Sequence, residues 1–156
     1  MCLIGLLQRV TAGRVTVDGR VVRAIGRGLV VLVAVEKGDG PAQADRMVER
    51  LSGYRVFPDP EGRMNLSVED VDGEMLLVPQ FTLAADTRKG MRPGFTSAAA
   101  PESGRQLFDH AVAQALRRLP SRVATGQFGA DMQVSLTNDG PVTFWLQVSS
   151  VDGETG

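Results

Sequence analysis

Apolar residues follow two rhythms along this chain. Short runs of valine, isoleucine and leucine, punctuated by glycine, dominate the first third. "LIGLLQRV" predicts a strand, "GRVTVDGRVVRAI" a hairpin turning at Asp18-Gly19, and "GLVVLVAVE" a buried strand. Pro41 then stands where a helix can begin, and Ala44, Met47, Val48 and Leu51 recur at helical spacing. "YRVF" is short and extended, "PDPEG" breaks the chain, and "MNLSV" follows. "EMLLVPQFTL" predicts a further buried strand, in which Pro79 removes one ladder donor. Residues 84–100, "AADTRKGMRPGFTSAAA", form a loop whose length hints at function. Pro101 opens a second helix, with Phe108, Ala111, Val112, Ala115 and Leu119 on one apolar stripe. Strands over 123–128, 132–137 and 142–148 complete the pattern, and the tail 149–156 is expected to fray.

With hairpins outnumbering helices, the pattern points to an α+β or α/β chain. Mostly antiparallel or mixed β-sheet curls into a barrel-like core beside two main helices, and a doubly wound nucleotide fold is disfavoured. No repeat or linker divides residues 1–148, so they read as one domain, long enough to bury a sizeable core. The net charge of −1 offers no global basic field for DNA, and an RNA partner would need a local patch. The lone Cys2 leaves no internal disulfide and fits a reducing compartment. The apolar start lacks a basic flank and runs straight into Gln8-Arg9, unlike a signal peptide or membrane span. A cytoplasmic location is the expectation.

Candidate chemistry emerges by elimination. The single histidine, His110, falls inside the second helix, so a Ser-His-Asp or Cys-His catalytic set is disfavoured. One Cys and one His make a poor metal-ligand set, and neither a dinucleotide fingerprint nor a phosphate-binding P-loop is present; no metal or cofactor is expected. What remains is backbone and hydroxyl chemistry. Gly140 precedes Pro141 within a strand pattern, pairing a residue of wide conformational freedom with one that has no N–H. Read alone, "NDGP" is an ordinary tight turn with a trans Gly-Pro bond. "PQFTL" places Gln80 and Thr82 beside the long loop, which carries Arg88, Lys89 and Arg92. Those cations are either a solvated loop or a phosphate-binding patch large enough for one nucleic-acid end.

Two motifs, in order and within this frame, make the chain recognisable. Pro79-Gln80-Phe81-Thr82-Leu83 resembles the Ser-Gln-Phe-Thr-Leu signature of the D-aminoacyl-tRNA deacylases. Residues 138–143, "NDGPVT", match that family's Asn-x-Gly-Pro-Val-Thr. "VEKGD", "RMNLSV", "ADTRKGMRP" and "GADMQVSL" extend the resemblance from Gln8 to Val148. It implies a carboxylic ester hydrolase that frees tRNA from D-amino acids and works as a homodimer with active sites at the subunit interface. It implies a cis Gly140–Pro141 bond whose carbonyls, inserted into the partner's pocket, reject L side chains. Arg9 is implied to support that motif, Gln80, Phe81 and Thr82 to form the catalytic pocket, and Phe128 and Met132 to hold the terminal adenine. Gly104 is implied to border the pocket, where a bulky side chain would block access.

The mechanism stays open between two forms. In one, the ribose hydroxyl beside the ester assists attack by water, and main-chain donors near Phe81 and Thr82 hold the oxyanion. In the other, Thr82 is the nucleophile, although the sequence shows no activating base nearby. The family serine is Pro79 here, a residue shared with a more permissive deacylase branch, so a deacylase that also acts on some L-aminoacyl-tRNA stands as the alternative. Two further readings remain: a non-catalytic protein that binds the tRNA acceptor end, and a general small-ester hydrolase.

Overall fold

The first predicted strand and the first arm of the predicted hairpin are one continuous element, β1 (Cys2–Val17). A computed structural model describes residues 2–149. After the turn, where Asp18 and Gly19 both take positive φ as a tight two-residue hairpin requires, β2 (Arg20–Ile25) and β3 (Gly28–Ala34) run back along β1. Helix α1 (Pro41–Gly53) follows, then a miniature hairpin of β4 (Phe57–Pro58) and β5 (Met64–Leu66), and β6 (Glu74–Pro79). Helix α2 (Pro101–Arg118), β7 (Val123–Thr125) and β8 (Gln133–Ser149) complete the chain.

The sheet is mixed. β1 pairs antiparallel with β2, β3 and β8, whereas β6 lies parallel to both β3 and β7. Parallel neighbours need long crossovers, and here each crossover contains a helix. One returns from β3 through α1, the other from β6 through α2. Both helices pack on one face, where Leu29, Val31, Met75 and Leu77 meet Met47, Leu51, Phe108 and Ala115. The alternate residues Val30, Leu76 and Val78 point the other way. There they pack with Val10, Val15 and Ile25 as the distal half of β1 curls over, aided by Val134 and Leu136. Burial on both faces explains the unbroken apolar runs of β3 and β6. Burying such a side chain is worth about 1.5–3 kcal/mol, so these runs fix which strands are central. The result is a nearly closed, barrel-like sheet with two helices.

Three further expectations change. The predicted strand through 74–83 ends at Pro79, and Phe81–Ala84 form a 3₁₀ turn seated by buried Ala84 against Ile4 and Ala34. The strand expected over 123–128 stops at Thr125, leaving Phe128 and Met132 on a loop. The two strands expected around "NDGP" are one, because β8 pairs with β1 on both sides of that segment. Ser149, the first residue of the expected tail, still pairs with Cys2; the rest of that tail lies outside the described residues. No helix among the described residues is long and apolar enough to cross a membrane.

Candidate active site

A cleft of about 450 Å³ opens where the end of β6, the start of α2 and the loop after β7 converge. It gathers six of the residues singled out from sequence: Pro79, Gln80, Phe81, Gly104, Phe128 and Met132. Each is placed by a local cause. Pro79 pairs with Val33 at the edge of the ladder, and the Gln80 N–H donates to the Val33 carbonyl at 2.7 Å before the chain tightens into its 3₁₀ turn. The N–H groups of Phe81 and Thr82 open that turn and find no acceptor among the described residues, because i→i+3 bonding starts later. The Gln80 amide donates to the Thr82 hydroxyl, which stands beside the cleft. Phe81 is 61% exposed at the mouth, its ring 5.3 Å from that of Phe95.

The opposite wall is aromatic and sulfur-bearing. Phe128 leans on Phe108 of α2, with ring centroids 6.3 Å apart, and the Arg105 guanidinium lies 5.5 Å from the Phe128 ring. Met132 Sδ accepts the Gln127 N–H at 3.2 Å, which holds the loop against the cleft. Gly104 is buried under this wall, and a Cβ there would meet Phe128 Cζ at 3.6 Å, an ordinary contact.

The Gly140–Pro141 bond is cis, so the ordinary trans turn expected from the residues alone is not what forms. The register runs from Gln8↔Thr143 to Val10↔Asn138, so Arg9 alone faces Asp139, Gly140, Pro141 and Val142. That segment bulges out of the ladder and is pinned from two sides. Arg9 Nε donates to the Asp139 carbonyl at 2.8 Å and Nη1 to the Val56 carbonyl at 2.7 Å. Asn138 Oδ1 accepts the Val142 N–H at 2.6 Å, while its Nδ2 donates to the Val142 carbonyl at 3.2 Å and to Thr143 Oγ1 at 3.0 Å. At Gly140, with φ of 144°, a Cβ would fall 2.6 Å from Val142 Cγ2, so glycine alone fits. Gly140 and Pro141 are exposed and lie outside the lining of this chain's own cleft.

The remaining candidates sit on the surface. Arg88 makes a bidentate pair with Asp86 at 2.9 and 2.8 Å, and this contact, with the Arg88 N–H, holds the Asp86 carboxyl well below the usual carboxylate range. Lys89 and Arg92 are exposed on the same loop and form no ion pair among the described residues. His110 Nε2 lies 2.8 Å from Asp45 Oδ1, joining α2 to α1 outside the cleft. Sequence reasoning missed the pinning role of Asn138, the Val56 anchor and the Asp86–Arg88 pair. Only the last had a sequence signal, a carboxylate two residues before an arginine.

A family model described as D-Tyr-tRNA(Tyr) deacylase matches residues 6–147. The D-aminoacyl-tRNA deacylase of Nitrosococcus oceani is 63% identical over 146 residues, covering 94% of each chain. That of Methylococcus capsulatus is 64% identical over 145 residues, 93% of this chain and 94% of that one. Among solved structures, the c-Myc DNA Unwinding Element Binding Protein superposes with a TM-score of 0.90 at 37% identity, over 94% of this chain and 99% of that one. With a cleft walled by Gln80, Phe81 and Phe128 and a pinned Gly140–Pro141 bulge, matched over almost its whole length, the chain belongs to the D-aminoacyl-tRNA deacylase family.

Proposed function

We propose that this chain hydrolyses the ester of D-aminoacyl-tRNA, releasing free tRNA and a D-amino acid, and that it does so as a homodimer. The cleft takes the aminoacylated adenosine end, with the base against Phe128 and Met132 and the ester beside Gln80, Phe81 and Thr82. Water adds to the ester carbonyl while the neighbouring ribose hydroxyl relays its proton to the departing ribose oxygen. The C–O bond then breaks. The N–H groups of Phe81 and Thr82 receive the charge that develops on the carbonyl oxygen. An aminoacyl ester is already activated, so alignment supplies most of the acceleration.

Selectivity resides in main chain. The Gly140–Pro141 segment of one protomer enters the cleft of the other and sets its carbonyls beside the substrate Cα. An L side chain is driven into them, whereas a D side chain turns to solvent. Glycine offers no side chain to reject, so glycyl-tRNA is hydrolysed too. The observation that carries this reading is the contrast at Gly140–Pro141: it is fixed by Arg9 and Asn138, yet it is exposed and lies outside the lining of the cleft that holds Gln80 and Phe81. Dimerisation gains support from the half-exposed Trp145 on β8, whose second edge carries no strand among the described residues, and from the exposed Phe81. Lys89, Arg92 and, in competition with Asp86, Arg88 contact phosphates of the acceptor end, and the work is done in the cytoplasm.

A second reading has its own observation. Pro79, where the family signature has serine, lines the cleft, and with it the enzyme accepts some L-aminoacyl-tRNA. Hydrolysis of D-tyrosyl-, glycyl- and L-alanyl-tRNA by the same preparation separates the two. Rapid turnover of the first two with slow loss of the third supports strict selectivity; comparable rates on all three show that Pro79 loosens it. No turnover of any of them would leave an acceptor-end-binding protein.

A further inference from the structure

Arg105 stands on the cleft rim with its charge unanswered. It projects from the first turns of α2, next to the cleft-lining Gly104, and lies 5.5 Å from the centroid of the Phe128 ring. Its one hydrogen bond, from Nη2 to the Phe128 carbonyl, is long at 3.3 Å. Among the described residues it forms no ion pair, although Asp131 shares the same rim. Arg88 differs, since its guanidinium is already committed to a carboxylate. A guanidinium carries five donors in a planar fork that matches a phosphate, and most of Arg105's remain unspent.

We propose that Arg105 is a specificity-determining residue that binds the phosphodiester immediately preceding the terminal adenosine. This rests on the reading that Phe128 receives the terminal base. A base held there brings its 5′-phosphate to the same rim, and the long bond to the Phe128 carbonyl is weak enough to yield to a charge-assisted one. The contact tells a nucleic-acid end from a free nucleoside, because only the former has a phosphate at that place. It also ties recognition to the base, since the guanidinium that takes the phosphate packs on the stacking ring.

The test compares binding of adenosine with that of the dinucleotide cytidylyl-(3′→5′)-adenosine, using the wild type, Arg105→Ala and Arg105→Lys. The wild type should bind the dinucleotide about tenfold tighter than adenosine, as one exposed charge-assisted contact provides. Arg105→Ala should remove that preference, lowering dinucleotide affinity about tenfold more than adenosine affinity, with Arg105→Lys between them. The salt dependence for the dinucleotide should flatten by about 0.7 in log–log slope in Arg105→Ala, one single-strand phosphate contact. Equal weakening for both ligands would mean the guanidinium merely holds the Phe128 loop, and would overturn the proposal. So would a wild type with no preference for the dinucleotide, or an alanine variant that keeps it. D-aminoacyl-tRNA hydrolysis by the wild type, run in parallel, judges the enzymatic reading separately.

Discussion

Arg9 and Asp139 lie on different strands, 130 residues apart, and meet where the Arg9 Nε–H donates to the Asp139 carbonyl at 2.8 Å. The same guanidinium reaches the Val56 carbonyl with Nη1, so one side chain ties the β8 bulge to the segment after α1. Arg9→Ala should lose both bonds and destabilise the fold by about 1–3 kcal/mol. Its larger effect should be on selectivity, with the ratio of D- to L-aminoacyl-tRNA hydrolysis falling at least tenfold. Arg9→Lys, which keeps the charge and loses the fork, should recover stability better than selectivity. An unchanged ratio in the alanine variant would show that the bulge does not sort substrates.

Asn138 holds the other side of the bulge. Its amide both accepts from and donates to the main chain of Val142, a pairing that aspartate can only half reproduce. Asn138→Ala should cost about 1–3 kcal/mol in denaturant unfolding. Asn138→Asp should cost a comparable amount, because a carboxylate then faces the Val142 carbonyl. If the aspartate variant matched the wild type in stability and in D/L ratio, the donor half of the clamp would be irrelevant.

Gly104 separates packing from access. A methyl group there makes only an ordinary contact with Phe128, and alanine is the better helix former, so Gly104→Ala should raise stability by up to about 1 kcal/mol. Gly104→Phe should fill the cleft and raise KM by an order of magnitude or more. Thermal unfolding together with KM for D-tyrosyl-tRNA tests both halves.

Thr82 distinguishes the two mechanisms. Its hydroxyl is bonded to the Gln80 amide, and no histidine or lysine is among the described residues that line the cleft. Thr82→Ala should retain single-turnover hydrolysis within about tenfold, the loss expected for an aligning group rather than a nucleophile. Abolished turnover in a folded variant would establish Thr82 as the attacking group.

Asp39 gives the stability a pH dependence. Its Oδ1 is buried without a hydrogen-bond partner among the described residues, and Oδ2 accepts the Glu36 N–H at 2.7 Å. Burial, reinforced by the nearby Glu36 carboxylate and opposed by that hydrogen bond, pushes its pKa up to about 6 from 3.8. The folded state therefore holds this proton more tightly than the unfolded chain. The resulting contribution is complete below pH 3.8 and is lost as pH rises through about 6. Asp39→Asn should flatten the stability profile in that window, gaining on the wild type towards neutral pH. Parallel profiles from denaturation at pH 4, 5, 6 and 7 would exclude Asp39 as the cause.

The hydrophobic rhythm alone determined the two helices, the buried central strands and the Asp18-Gly19 hairpin, because period and turn chemistry are local properties. The apolar runs of β3 and β6 announced burial on both faces. The first motif named Pro79, Gln80 and Phe81, which line the cleft, whereas Gly104, Phe128 and Met132 were named only through the family resemblance. Tertiary structure decided what depends on contacts distant in sequence. "NDGP" has the composition of a turn, yet pairing with β1 on both sides keeps β8 continuous and turns the segment into a bulge. Pro79 ends its strand because the next N–H bonds to Val33 and the chain closes into a 3₁₀ turn over Ile4 and Ala34. Arg9, Val56 and Asn138 become one clamp only once three separate segments are brought together. A hydrogen bond spanning 130 residues leaves no trace in local spacing.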